Sequence, residues 1–226
     1  MRHRFVEWRR RRPPDLGDLR RVTPIDANWG FERGTPIDRY YVGRFVGANA
    51  SDIRGRVLEI AAPDYTRRFG TGVAQVDVLM AKEGNPEATI VGNLTDAPQI
   101  PSDAFDCAIV TQTLQFVWDV RAAIATLHRI LAPGGVLLAT VPGLTKLSPP
   151  EDEEYGEWWH YTARSARRLA EEAFGEGNVE VEAYGNVLSA AAFLYGLAAS
   201  DLRPDELDAR DRLYEVTIGV RARKAS

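Results

Sequence analysis

R-V-L-E-I-A-A-P-D-Y-T-R-R-F-G-T-G-V-A-Q-V-D, residues 56–77, is the stretch on which the fold turns. It opens on a short apolar run, Val57 to Ile60, and passes through a turn and one brief helical excursion. It returns as a second apolar run closing on Asp77. That succession predicts a βαβ unit. In nucleotide-binding units of this kind the first strand ends in a glycine-rich turn, because glycine accepts positive φ and lets a ligand approach the backbone. An acid about 20 residues further on takes the ribose hydroxyls. Asp77 stands at that distance. The glycines do not: Ala61, Ala62, Pro63, Asp64 and Tyr65 occupy the turn.

Working outward, Ile90-Val91 leads into Gly92-Asn93-Leu94, and Phe105 to Thr111 forms a fourth apolar run ending at Gln112. Val120 to Leu131 has helical periodicity through Ala123, Ile124, Leu127 and Ile130, and stops before Pro133-Gly134-Gly135. Val136 to Val141 reads as a fifth strand, Val179 to Ala183 and Tyr214 to Ala222 as two more, and Val187 to Leu197 as an apolar helix. Continuous apolar strands indicate a parallel sheet covered on both faces. Ligands of such sheets bind outside the carboxyl ends of the strands. That rule draws Glu59, Asp77, Asn93 and Gln112 to one crevice. Thr35 and Pro36 read as the cap and first residue of a helix running to about Val46.

Composition narrows the function. The 226 residues, 45% hydrophobic and 27% charged, suffice for one well-buried domain. The expected division is an arm over residues 1–34 and a single α/β domain over residues 35–226. A net charge of −4 is not a field that attracts nucleic acid. The local exception is Arg2, Arg4 and Arg9 to Arg12, either a solvated tail or a contact arm. No apolar stretch reaches the roughly 18 residues of a membrane span, and no secretory leader is legible. Cys107 is the single cysteine, so an internal disulfide is excluded; a reducing, cytoplasmic setting is expected, with Cys107 as a small core side chain. The histidines are scattered, and no metal site is expected.

V-L-E-I at 57–60, Phe105-Asp106 and L-A-P-G-G-V-L at 131–137 together resemble the class I S-adenosylmethionine-dependent methyltransferases. The resemblance implies a Rossmann-like seven-stranded, mostly parallel sheet with helices on both faces and the last strand antiparallel. Over Val22 to Arg223 it narrows to bacterial methyltransferases associated with glycosyltransferases. It rests there on F-E-R-G-T-P-I-D-R-Y-Y (31–41), Glu83-Gly84-Asn85-Pro86, the block from Trp159 through Thr162 to Leu169, and E-A-Y-G-N-V-L (182–188). What it implies is S-adenosylmethionine as cofactor, held by Glu59, Ala61, Ala62, Asp77, Val78, Asn93, Leu94 and Gln112. The acceptor would be a sugar, a glycan end or a glycosylated natural product, with a glycosyltransferase as a possible partner.

For the chemistry, His160 is the candidate base, since histidine titrates near neutrality and follows the fifth strand. The alternatives are a structural histidine packed by Trp159 and Tyr161, with Glu153, Glu154 or Glu157 as the base. Trp158 and Trp159 either stack on an acceptor ring or belong to the core. Arg33, Tyr40 and Tyr41 either form a lid over the cofactor mouth or cap the core. The altered turn leaves a second reading open, a methyltransferase-like protein that serves as a binding or scaffold subunit or catalyses another reaction.

Overall fold

The computed structural model describes residues 15–226, so the arginines at Arg2 to Arg12 lie outside the described residues. The strands are β1 (Gly55–Ile60), β2 (Val73–Met80), β3 (Ile90–Val91), β4 (Phe105–Thr111), β5 (Leu131–Pro142), β6 (Val179–Tyr184) and β7 (Thr217–Arg223). They form one seven-stranded sheet in the order β3-β2-β1-β4-β5-β7-β6. Pairing is parallel from β3 through β5, whereas β7 runs antiparallel to both its neighbours. The Rossmann-like sheet expected from the sequence, including its reversed last strand, is what the chain forms.

The helices are α1 (Ile37–Ala48), α2 (Asp64–Phe69), α3 (Val120–Ile130), α4 (Pro149–Tyr155), α5 (Ala163–Phe174), α6 (Val187–Leu194) and α7 (Pro204–Asp208). Successive strand residues point to opposite faces, and this divides the apolar runs between two cores. Leu58, Ala108, Val110, Leu137 and Ala139 pack beneath α3 and α5, while Val57, Cys107, Ile109, Val136 and Leu138 pack beneath α1 and α6. Cys107 is fully buried, and burial pushes its thiol up, away from the reactive thiolate. Gly219 of β7 lies against α1, where a Cβ would come within 2.3 Å of the Phe45 ring.

The first helix starts one residue later than its capping signal suggests. Pro36 is extended (φ −53°, ψ 147°) and bridges Ala198, and the Thr35 carbonyl accepts from Ala199 N. The segment before it packs along the same strip: Ile25 N donates to the Tyr195 carbonyl, and Arg33 pairs with Asp201 at 2.7 Å. Among the described residues no helix is long and apolar enough to cross a membrane.

Candidate functional site

The turn after β1 keeps the backbone path of a glycine turn without the glycine. Ala61 sits at φ 69°, in the left-handed region that costs an L-residue about 1–2 kcal/mol. Three contacts hold it there. Ala61 N donates to the Leu79 carbonyl (3.2 Å), Ala62 N to the Ile60 carbonyl (2.9 Å), and the Asn85 amide to the Ala61 carbonyl (2.6 Å). Glu59 fixes the far side: its carboxylate accepts from Tyr65 N and Thr66 N, both at 2.9 Å, and from the Thr66 hydroxyl at 2.6 Å. These are donors at the start of α2, which its own residues leave uncapped. Burial raises the Glu59 carboxyl above its usual range, and the hydrogen bonds from Thr66 and Tyr65 oppose that shift. Relief of the Ala61 strain predicts that Ala61→Gly stabilises the protein by up to about 1 kcal/mol, net of glycine's greater unfolded freedom. The melting temperature should then rise by about 2–4 °C, and a lower one would mean that the strain is absent.

Above this turn, at the carboxyl ends of β1, β2 and β4, lies a cleft of about 1180 Å³. Glu59, Ala61 and Ala62 form its floor, Asn93 and Leu94 one wall, and Gln112 the opposite wall. The Ala-Ala-Pro bend does not fill it. Asn93 closes its own turn by accepting from Thr95 N (3.0 Å), which leaves its amide N–H₂ and a second lone pair of its oxygen for a ligand. Gln112 is held at φ 47°, with its N–H on the Thr140 carbonyl (2.8 Å) and its carbonyl on the Gln115 amide (3.1 Å). Its own side-chain nitrogen is buried and has no hydrogen-bond partner. A native fold rarely leaves such a donor empty, and here the residue that carries it lines the cleft.

The outer wall is aromatic. Trp118 is 65% exposed and Trp158 50%. Their rings meet edge to face at 5.1 Å, and Phe116, Tyr155 and Phe31 complete the rim. Helix α4 roofs this end through Glu151, Glu154 and Tyr155, fastened by a 2.9 Å ion pair between Lys82 and Glu154.

Several expected site residues stand elsewhere. β2 does not end at Asp77 but runs on to Met80. Asp77 pairs with Leu58 in mid-sheet, and three residues of strand put it about 10 Å short of the rim. Its buried carboxylate is taken by Arg56 (2.8 Å), Gln75 (3.0 Å) and Thr89 (3.1 Å). Val78 is buried beside it, with its N–H on Thr89. His160 does not line the cleft and faces Glu157 at 3.3 Å. Trp159 turns inward, stacking on Trp118 at 5.5 Å and donating to the Val117 carbonyl. Nor do Arg33, Tyr40 and Tyr41 form a lid. Arg33 binds Asp201, the Tyr40 hydroxyl donates to Asp208, and the buried Tyr41 donates to the Leu207 carbonyl and stacks on Tyr184. A helix presents residues one or two apart to different sides, so the α1 residue that reaches the cleft is Arg39, joined by Arg68 from α2.

Residues 49–139 match a protein-family profile described as a methyltransferase domain. That stretch, from the end of α1 through most of β5, is what the chain shares with methyltransferase domains. A probable S-adenosylmethionine-dependent methyltransferase of Mycolicibacterium smegmatis is 31% identical over 131 residues, covering 56% of this chain and 51% of that protein. The chain spans about half the length of the curated relatives it matches. Among solved structures, an S-adenosylmethionine-dependent methyltransferase from Archaeoglobus fulgidus superposes with a TM-score of 0.54 at 10% identity, over 82% of this chain and 94% of that one. The cyclase SpnF superposes at 0.52 and 16% identity, over 81% and 80%. At these identities the likeness concerns the fold.

S-adenosylmethionine, the methyl donor named for the Mycolicibacterium relative, presents an adenine, a ribose, a sulfonium and an amino-acid end. The cleft offers groups for most of these: the Asn93 amide for a base edge, the Gln112 side chain, and the guanidiniums of Arg39 and Arg68 for a carboxylate. The cleft side of β2 ends on Met80, Ala81 and Lys82, which present no carboxylate to a ribose. Among the described residues no group of three or more His, Cys, Asp or Glu side chains could hold a metal ion. Sequence reading missed Trp118, Phe116, Arg39 and Asn85. For Trp118 the usable signal is a tryptophan seven residues beyond the last residue of β4, within reach of its carboxyl-end loops.

Proposed function

We propose that this chain transfers the methyl group of S-adenosylmethionine to a hydroxyl of a sugar, glycan end or glycosylated small molecule. The observation that carries the reading is the open cleft over a β1 turn whose Ala61 keeps the glycine conformation, with Gln112, whose side-chain nitrogen has no protein partner, on its wall. Glu59 sets the floor, Asn93 and Gln112 orient the nucleoside and methionyl parts, and Arg39 faces the carboxylate. The acceptor lies on the aromatic side. There the exposed faces of Trp118 and Trp158 carry the negative quadrupole that receives the C–H edge of a sugar ring.

Methyl transfer to oxygen is an in-line displacement. Holding the acceptor oxygen behind the methyl carbon is the principal contribution, up to about 7–11 kcal/mol. The hydroxyl proton passes to a carboxylate on α4. Glu154 is the candidate, because it lines the cleft and releases from Lys82 by a simple side-chain rotation. His160, turned toward Glu157, is not assigned that role. The buried free thiol of Cys107 suits a reducing, cytoplasmic compartment, and a glycosyltransferase acting on the same acceptor is the partner this reading implies.

A second reading is favoured by one feature, the missing carboxylate at the end of β2: a protein that keeps the fold but not methyl transfer, as a fold shared with a cyclase allows. Calorimetric titration with S-adenosylhomocysteine separates the two, followed by transfer of labelled methyl to a panel of glycosides. The first reading expects saturable binding and, at ligand near 100-fold over Kd, about 2.7 kcal/mol of added stability. No heat and no thermal shift at millimolar ligand leaves the second.

A further inference from the structure

On the side of the molecule where α1 packs lies a second cavity of about 850 Å³, between that helix, the end of α2, β6 and the segment after α6. Four arginines line it, Arg39, Arg44, Arg68 and Arg210, against the single carboxylate of Glu182. That carboxylate is already engaged by Arg210 and by the Tyr184 hydroxyl. Arg44 reaches Asp208 only at 3.7 Å, and Arg39 reaches Asp38 only at 4.0 Å. Arg68 has no ion-pair partner among the described residues and lies against the Phe69 ring at 4.9 Å. Like charges gathered on one concave wall repel one another, and the wall focuses their field on whatever enters. A bound anion relieves that repulsion, and guanidinium forks match the oxygens of phosphate and carboxylate groups.

We propose that this cavity is an oxyanion site, taking the phosphate or carboxylate group of a ligand distinct from the methyl donor. Arg39 and Arg68 line both this cavity and the cleft, so the two sites share a wall. An anion held by Arg44, Arg68 and Arg210 therefore acts on the side chains facing the donor's amino-acid end, and occupancy of one site changes affinity at the other by the same factor in both directions. The site does not depend on methyl transfer, because its charge and shape are properties of α1, α2 and β6.

The test is calorimetric titration of the full chain with inorganic pyrophosphate and with citrate at fixed ionic strength, which separates a phosphate source from a carboxylate source. One of the two is expected to bind saturably at one site. Arg44→Gln and Arg68→Gln should each weaken that binding about tenfold, the loss of one charge-assisted contact. Arg44 faces only the second cavity, so Arg44→Gln should leave direct binding of S-adenosylhomocysteine unchanged, which also reports that the variant is folded. Absence of heat with both probes, or undiminished binding in both variants, overturns the assignment. Failure of S-adenosylhomocysteine to bind the parent protein counts against the methyltransferase reading alone.

Discussion

Glu59→Ala is expected to lower the unfolding free energy by about 3 kcal/mol and to abolish measurable binding of S-adenosylhomocysteine. The carboxylate answers three donors at the start of α2, two backbone N–H groups and the Thr66 hydroxyl, and the residue is only 2% exposed. Alanine takes away the acceptor that answers those three donors at the cleft floor. Each buried orphan costs about 1–3 kcal/mol, which outweighs what is gained by no longer burying the carboxylate. The effect on binding follows from position, since the same bonds aim the Asp64-Tyr65 segment that borders the cleft. Glu59→Gln should lose about half as much, because the amide keeps one acceptor and turns a donor toward a donor. Urea unfolding and calorimetry on both variants check this. Wild-type stability in Glu59→Ala would show that α2 is not held in this way.

The second large effect separates binding from folding. Gln112→Ala should weaken S-adenosylhomocysteine binding about 10–100-fold, the worth of a well-placed hydrogen bond in a site built to make it. Stability should change by less than about 1 kcal/mol, because the deleted nitrogen has no protein partner to lose. The left-handed backbone at Gln112 is as costly for alanine as for glutamine, so the strain cancels between the two proteins. Equal affinity in variant and parent would remove Gln112 from the site, whereas a large loss of stability would make its role structural.

Much of the architecture is legible in the chain. The apolar runs at 57–60, 105–111 and 136–141 could only be sheet interior, and the antiparallel ending followed from the family resemblance. The crevice at the strand ends, with Glu59, Asn93 and Gln112, was reachable by the rule for open parallel sheets. Asp77 shows where such reading fails. Its spacing from β1 was that of a ribose acid, but spacing counts residues and not strand length, and β2 continues for three more. His160 fails for another reason, because a residue within a run of aromatics can turn to either side. The neighbours Trp118, Val117 and Glu157, distant or unremarkable in sequence, decide which.

Periodicity and residue chemistry, both local properties of the polymer, determined the sheet, its two cores and the level at which a ligand would sit. Tertiary structure alone decided that Ala61 adopts a glycine's conformation, since the Leu79 carbonyl and the Asn85 amide that hold it come from other segments. It also decided which side chains face the cleft and which arginines share a wall. Those facts depend on the relative placement of elements packed from about 18 to more than 100 residues apart, and no local pattern encodes it.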